Sequence, residues 1–159
     1  MYTVNKIADW FLSQVNSDAG DSITPLKLQK LVYYAQAWHY TLFDTPLFEE
    51  EIQAWAHGPA VHSLYRRFES YARFQAINIS ALEITPTVFE AHTNELLNEI
   101  QALYGEHSGD YLEKLTHSET PWIEARGQIS PQARCTTPIS LNSMKVFYSK
   151  LNESKKENQ

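Results

Sequence analysis

Threonine–proline pairs divide this chain into its working lengths. Five of the seven prolines follow threonine, at Thr24-Pro25, Thr45-Pro46, Thr85-Pro86, Thr120-Pro121 and Thr137-Pro138. The other two are Gly58-Pro59 and Ser130-Pro131. A threonine hydroxyl can cap a helix N-terminus, and proline suits the first helical position, where its missing N–H would have no partner. Several of these pairs therefore predict helix starts.

The apolar residues agree. Val4, Ile7, Ala8, Phe11 and Val15 keep helical spacing, with Thr3 as the cap. Residues 17–22 form a loop around Gly20. A second helix runs from Pro25 to about Tyr40, with Leu28, Leu31, Val32, Ala35 and His39 on one stripe. Tyr34 and Trp38 flank that stripe, which predicts burial over more than half the circumference. Residues 43–46 form a turn, and 51–56 read as a short extended piece. His57-Gly58-Pro59 launches a third helix through Val61, Leu64, Tyr65, Phe68, Tyr71 and Ala72, with Arg66, Arg67 and Glu69 in water. Residues 74–83 lack a helical period, and Ile77, Ile79 and Leu82 hint at extended chain.

Thr85-Pro86 predicts a fourth helix to about Tyr104, with Phe89, Leu96, Ile100 and Leu103 inward. Ser108 caps a fifth, Thr120-Pro121-Trp122 opens a sixth, and Met144, Phe147, Tyr148 and Leu151 mark the last. The expectation is a mainly α, single compact domain of six or seven helices over residues 1–151. A polar, frayed tail over 152–159 follows. The length of 159 residues suits one domain, since typical domains hold about 100–200 residues.

Composition narrows the function classes. One cysteine, Cys135, excludes an internal disulfide framework and a zinc site of several thiolates, and reads as an incidental free thiol. A net charge of -6 argues against a general grip on nucleic acid. No apolar run approaches the ~18 residues that span a bilayer, and the N-terminus lacks a signal-peptide layout. The cytoplasm is the expected location. The 13% aromatic content serves either a core or an interface.

Familiar catalytic motifs are missing: no G-x-S-x-G elbow, no phosphate-cradling glycine loop and no H-E-x-x-H. A metal-assisted hydrolase using His57, His62 and His117 can be drawn on paper. No pair has the i, i+4 spacing of a helical ligand pair, however. The favoured reading makes His39 a core residue, His57 a turn residue bonded to backbone and His62 a surface residue. His117 and Glu119 could form an acid–base pair. The favoured reading of 116–122 is a turn in which Thr116 and Glu119 satisfy backbone N–H groups while Trp122 plugs the core. Lys27, Lys30, Arg66, Arg67 and Arg73 form either a phosphate-binding face or a solvated one, and the acidic total favours the second. Glu49-Glu50-Glu51 reads as solvated.

Two long blocks are familiar together. Pro25-Leu26-Lys27-Leu28-Gln29-Lys30-Leu31-Val32-Tyr33-Tyr34-Ala35-Gln36-Ala37-Trp38 resembles the opening signature of the Panacea antitoxin domain family. That family includes GepA-like phage-associated proteins and SocA-type antitoxins. Pro46-Leu47-Phe48, Ile52-x-Ala54-Trp55-x-His57-Gly58-Pro59 and Leu64-Tyr65 continue the pattern. The run from Tyr104-Gly105 through Leu112-x-x-Leu115-Thr116-His117-x-Glu119-x-Pro121-Trp122-x-x-Ala125-Arg126 matches the second signature. The blocks keep the family's order and extend from about Tyr2 to Tyr148. Ala60 stands where the family usually has valine, and no separate DNA-reading module is expected.

The resemblance implies a bacterial or prophage antitoxin that neutralises a cognate toxin by direct binding, without catalysis or a cofactor. The SocA-type variant implies an adaptor that hands its toxin to a AAA+ protease such as ClpXP. Among the signature residues, Leu28, Leu31, Tyr34, Trp38, Trp55, His57, Gly58, Pro59, Thr116, His117, Glu119, Pro121 and Trp122 are expected to be mainly structural. Tyr33 falls more than a quarter turn off the Leu28 stripe. With Lys30 and Arg66 it forms the expected contact patch, and the alternative packs it against 74–83.

Overall fold

A computed structural model of the chain describes residues 1–158. Seven α-helices and one small hairpin follow in the order α1 (Val4–Ser13), α2 (Pro25–Phe43), β1 (Gln53–Trp55), β2 (Gly58–Ala60), α3 (His62–Arg67), α4 (Ala91–Tyr104), α5 (Gly109–His117), α6 (Thr120–Arg126) and α7 (Leu141–Glu157). The mainly α reading holds. Thr3, Thr24 and Ser108 cap α1, α2 and α5 with their side chains, as their positions predict.

Helix α2 is the trunk. It packs against α1, α3, α4, α5, α7 and β2. From Leu26 to His39 all but one of its residues are buried, on every side of the helix. Burial all round forces its polar side chains to find partners inside the protein. Gln36 accepts from Leu47 N–H at 2.7 Å and donates to the Phe48 carbonyl at 2.8 Å. Gln29 does the same for Val61, accepting its N–H at 2.8 Å and donating to its carbonyl at 3.0 Å. Lys30 donates to the Pro59 carbonyl at 3.1 Å. These three side chains tie the backbone of 47–48, Pro59 and Val61 to the trunk.

The structure departs from the sequence reading in definite places. Thr85-Pro86 starts no helix, and α4 begins at Ala91. Leu103, expected inward, is exposed. Helix α3 stops at Arg67 rather than Ala72, because a residue outside the αR region, Phe68, ends it. Thr137-Pro138 forms backbone bridges to 52–54: Ala54 N–H bonds the Thr137 carbonyl and Ile139 N–H the Ile52 carbonyl. Residues 74–83 contain a 3-10 turn at Ile79–Ala81 rather than a strand. Glu50 is not merely solvated, since its carboxylate accepts Val4 N–H at the start of α1. Residues 152–157 are helical, not frayed. Lys155 lies over the Trp38 ring, and Lys155 and Lys156 complement the helix C-terminus. Gln159 lies outside the described residues.

A buried carboxylate joins the trunk to the last two helices. Glu119 accepts hydroxyls from Tyr34 at 2.7 Å and Tyr148 at 2.9 Å. Tyr148 in turn accepts from Tyr33 at 3.0 Å. Tyr34 stacks flat on Tyr104, with centroids 4.0 Å apart, and Tyr104 accepts from Trp38 Nε1. Burial pushes the Glu119 carboxyl above its usual range, and the two tyrosine hydroxyls pull it back. Glu119 therefore caps no backbone, contrary to expectation. Glu119→Gln should keep an acceptor for both hydroxyls and melt within about 1 kcal/mol of wild type. Glu119→Leu should lose roughly 2–4 kcal/mol in denaturant titration, since two buried hydroxyls lose their acceptor.

Candidate functional site

The hairpin and α3 carry two adjoining aromatics, half-buried Trp55 and exposed Tyr65. Ala56 and His57 form the two-residue turn between β1 and β2, with Trp55 paired to Gly58. Gly58 has φ +101°, a left-handed conformation that glycine tolerates. A side chain there would also collide, because its Cβ would lie 2.5 Å from Lys30 Cε and 2.9 Å from Thr116 Oγ1. The hairpin thus closes directly onto the lysine of α2.

Lys30 is 1% exposed. Burial pushes its pKa down to about 7, and the Glu113 carboxylate opposes that. Glu113 itself is engaged by His57, with Nδ1 and Oε1 2.9 Å apart. His117 stacks on Trp122 at 4.0 Å between centroids, beside the Ala56 backbone. Burial lowers the His117 pKa; Glu113 opposes the shift and Lys30 adds to it. Trp122 Nε1 donates to the Trp55 carbonyl at 2.8 Å. Arg126 donates to the carbonyls of Ala54, Ser130 and Ala133 and lies over the Trp122 ring. The signature residues of 52–59 and 116–126 therefore converge beneath the hairpin and hold it to α2, α5 and α6.

Above this support stands a ridge. Trp55 meets Tyr65 edge to face at 5.3 Å and His62 at 6.0 Å. Tyr65 is 47% exposed. On one side lies a cleft of about 290 Å³, walled by Leu26, Leu64, Phe68 and Tyr71, with Lys30 and Arg73 also in its lining. On the other side is a more open hollow between Gln53, His62 and Arg134–Thr136.

The contact patch expected from Lys30, Tyr33 and Arg66 does not exist as one surface. Tyr33 is 2% exposed and bonded to Tyr148, so it is core. A quarter-turn offset leads to solvent only on a helix with a free side, and α2 has none there. Arg66 is exposed, facing Glu69 at 3.5 Å. Leu28, Leu31, Tyr34, Trp38, Pro121 and Trp122 are buried. Thr116 donates to the Glu113 carbonyl rather than accepting backbone N–H. His57 binds a carboxylate, not backbone. His117 and Glu119 serve different partners and form no acid–base pair. Among the described residues, no three His, Cys, Asp or Glu side chains could hold a metal ion together.

Sequence reasoning missed Tyr65 as a surface residue and Glu113 altogether. The brevity of α3 turns Tyr65 outward, although its spacing matched the apolar stripe. Glu113 carried no signal, because its partner lies 56 residues away. Among the described residues no helix is long and apolar enough to cross a membrane. A family model described as antitoxin SocA-like, Panacea domain, matches residues 28–123, more than half of the chain. No curated protein and no solved structure matches it.

The buried lysine has a measurable signature. Its folded pKa lies below the unfolded value of 10.5, so from about pH 7 to 10 the unfolded chain holds the extra proton. Stability should therefore rise with pH across that window, by up to about 1.4 kcal/mol per unit. Lys30→Met should remove this contribution and raise stability at pH 7, as read by denaturant titrations of both proteins at pH 7, 8 and 9.

Proposed function

The chain belongs to the SocA-like antitoxin family with a Panacea domain, and from that membership we propose that it neutralises a cognate toxin protein in the cytoplasm by covering part of the toxin's surface. The observation that supports this most is the ridge of Trp55 and Tyr65, which lies inside the matched segment and is held by its signature residues. Interfaces concentrate their energy in tryptophan, tyrosine and arginine seated beside apolar pockets. Trp55, Tyr65 and Arg66 supply those types, and the cleft and hollow on either side supply the pockets.

The support under the ridge fits a binding role. Lys30, Gln29, Trp122 and Arg126 all bond to hairpin or adjoining backbone, which fixes the ridge before a partner arrives. A preorganised surface loses little conformational freedom on association. The chain acts in this reading with no bond made or broken by its own side chains.

The test is co-expression with the product of the neighbouring open reading frame, with growth as the readout. Wild type should restore growth. Tyr65→Asp should weaken the complex by about 2 kcal/mol, roughly thirtyfold, without shifting the melting temperature of the free protein. Arg66→Glu should weaken it less. Running the pair with and without ClpXP separates masking from delivery to a protease, because masking protects in both strains. Full protection by Tyr65→Asp would place the interface elsewhere.

A further inference from the structure

The cleft beside the ridge is lined in part by Lys30, only 1% exposed, whose ammonium has donors to spare. The Lys30 ammonium has three N–H donors, and among the described residues it makes one hydrogen bond, to the Pro59 carbonyl. Glu113 is the carboxylate that influences it, but that side chain is bonded to His57. A buried cation without a contact anion is costly, and a partner carboxylate would relieve that cost. The hairpin passes so close that a Cβ at Gly58 would lie 2.5 Å from Lys30 Cε.

We propose that this cleft receives the C-terminal residue of the toxin, with its apolar side chain against Leu26, Leu64, Phe68 and Tyr71 and its free carboxylate directed to Lys30. The inference rests on the antitoxin reading above. Size favours a chain end. About 290 Å³ lies at the bottom of the range of ligand pockets and suits one large residue rather than a segment passing through. A terminal residue also carries both an apolar side chain and a carboxylate, which matches apolar walls around a single buried cation. Charge supports it too. The whole chain carries -6, yet Lys30 and Arg73 line this cleft against one carboxylate, Glu69.

The groups that face Lys30 define the pH behaviour. Glu113 and His117 approach from α5 and His57 from the hairpin, while Glu69 and Arg73 stand along the cleft. Burial pushes the Lys30 pKa down, so a bound carboxylate favours its protonated form and draws in a proton. Binding through Lys30 should therefore tighten as pH falls from 8.5 to 6.5.

Fluorescein-labelled Ser-Gly-Ser-Phe peptides, with a free or an amidated C-terminus, test this by fluorescence anisotropy on the full chain. The free acid should bind at least tenfold more tightly than the amide, and that preference should grow at lower pH. Lys30→Met, confirmed as folded by its thermal melt, should abolish the preference and its pH dependence. Equal binding of acid and amide to wild type overturns the proposal without reliance on any variant. So does a preference that survives Lys30→Met, or equally tight binding of an amidated peptide with an internal Phe-Asp pair. So does capture of N-acetylphenylalanine with no capture of the longer acid, which would mark a small-molecule pocket. In cells, a toxin extended by Gly-Ser-Gly-Ser at its C-terminus should escape neutralisation. Equal neutralisation of native and extended toxin defeats the C-terminal proposal but leaves the antitoxin reading standing. Failure to neutralise the native toxin defeats the antitoxin reading itself.

Discussion

A helix buried on all sides has to account for its polar side chains, and α2 does so by bonding to the backbone of the segments packed on it. Gln36 holds 47–48, Gln29 holds Val61 and Lys30 holds Pro59. Each contact joins residues far apart in sequence and fixes a stretch that would otherwise be loop. The hairpin is only three residues per strand. A two-stranded hairpin of that size has little stability of its own. Its position follows from Lys30 and Gln29 beneath it and from Trp122 and Arg126 beside it.

Two buried ionisable groups lie along the same trunk and respond to pH in opposite senses. Burial disfavours the charge on both, lowering the pKa of Lys30 and raising that of Glu119. Glu119 is compensated by two tyrosine hydroxyls, while Lys30 has one carbonyl. That difference separates a carboxylate built into the core from a lysine that lines a cleft. Tyr148, which supplies one of the hydroxyls, lies beyond the matched family segment, so α7 completes a network whose acceptor lies inside it.

Much of the architecture was legible because it depends on local signals. Thr3, Thr24 and Ser108 mark helix starts with side chains that cap three residues away. Thr85-Pro86 misled because the same pair also suits extended backbone, and tertiary contacts decided between the two. The resemblance of two sequence blocks pointed to the family correctly. The site itself was less legible. Tyr33 and Lys30 read as surface residues because a spacing argument assumes a helix with one wet side, and α2 lacks it. The His57–Glu113 pair and the approach of Gly58 to Lys30 are products of the fold and have no local trace.

The shortness of α3 has an evolutionary consequence. Of its six residues only Leu64 is buried, so His62, Tyr65 and Arg66 can be exchanged with little effect on the trunk. Natural drift at these positions is cheap in stability, while the residues beneath them are constrained. The face presented beside the hairpin can therefore be rewritten, a few exposed letters at a time, on an inherited pedestal.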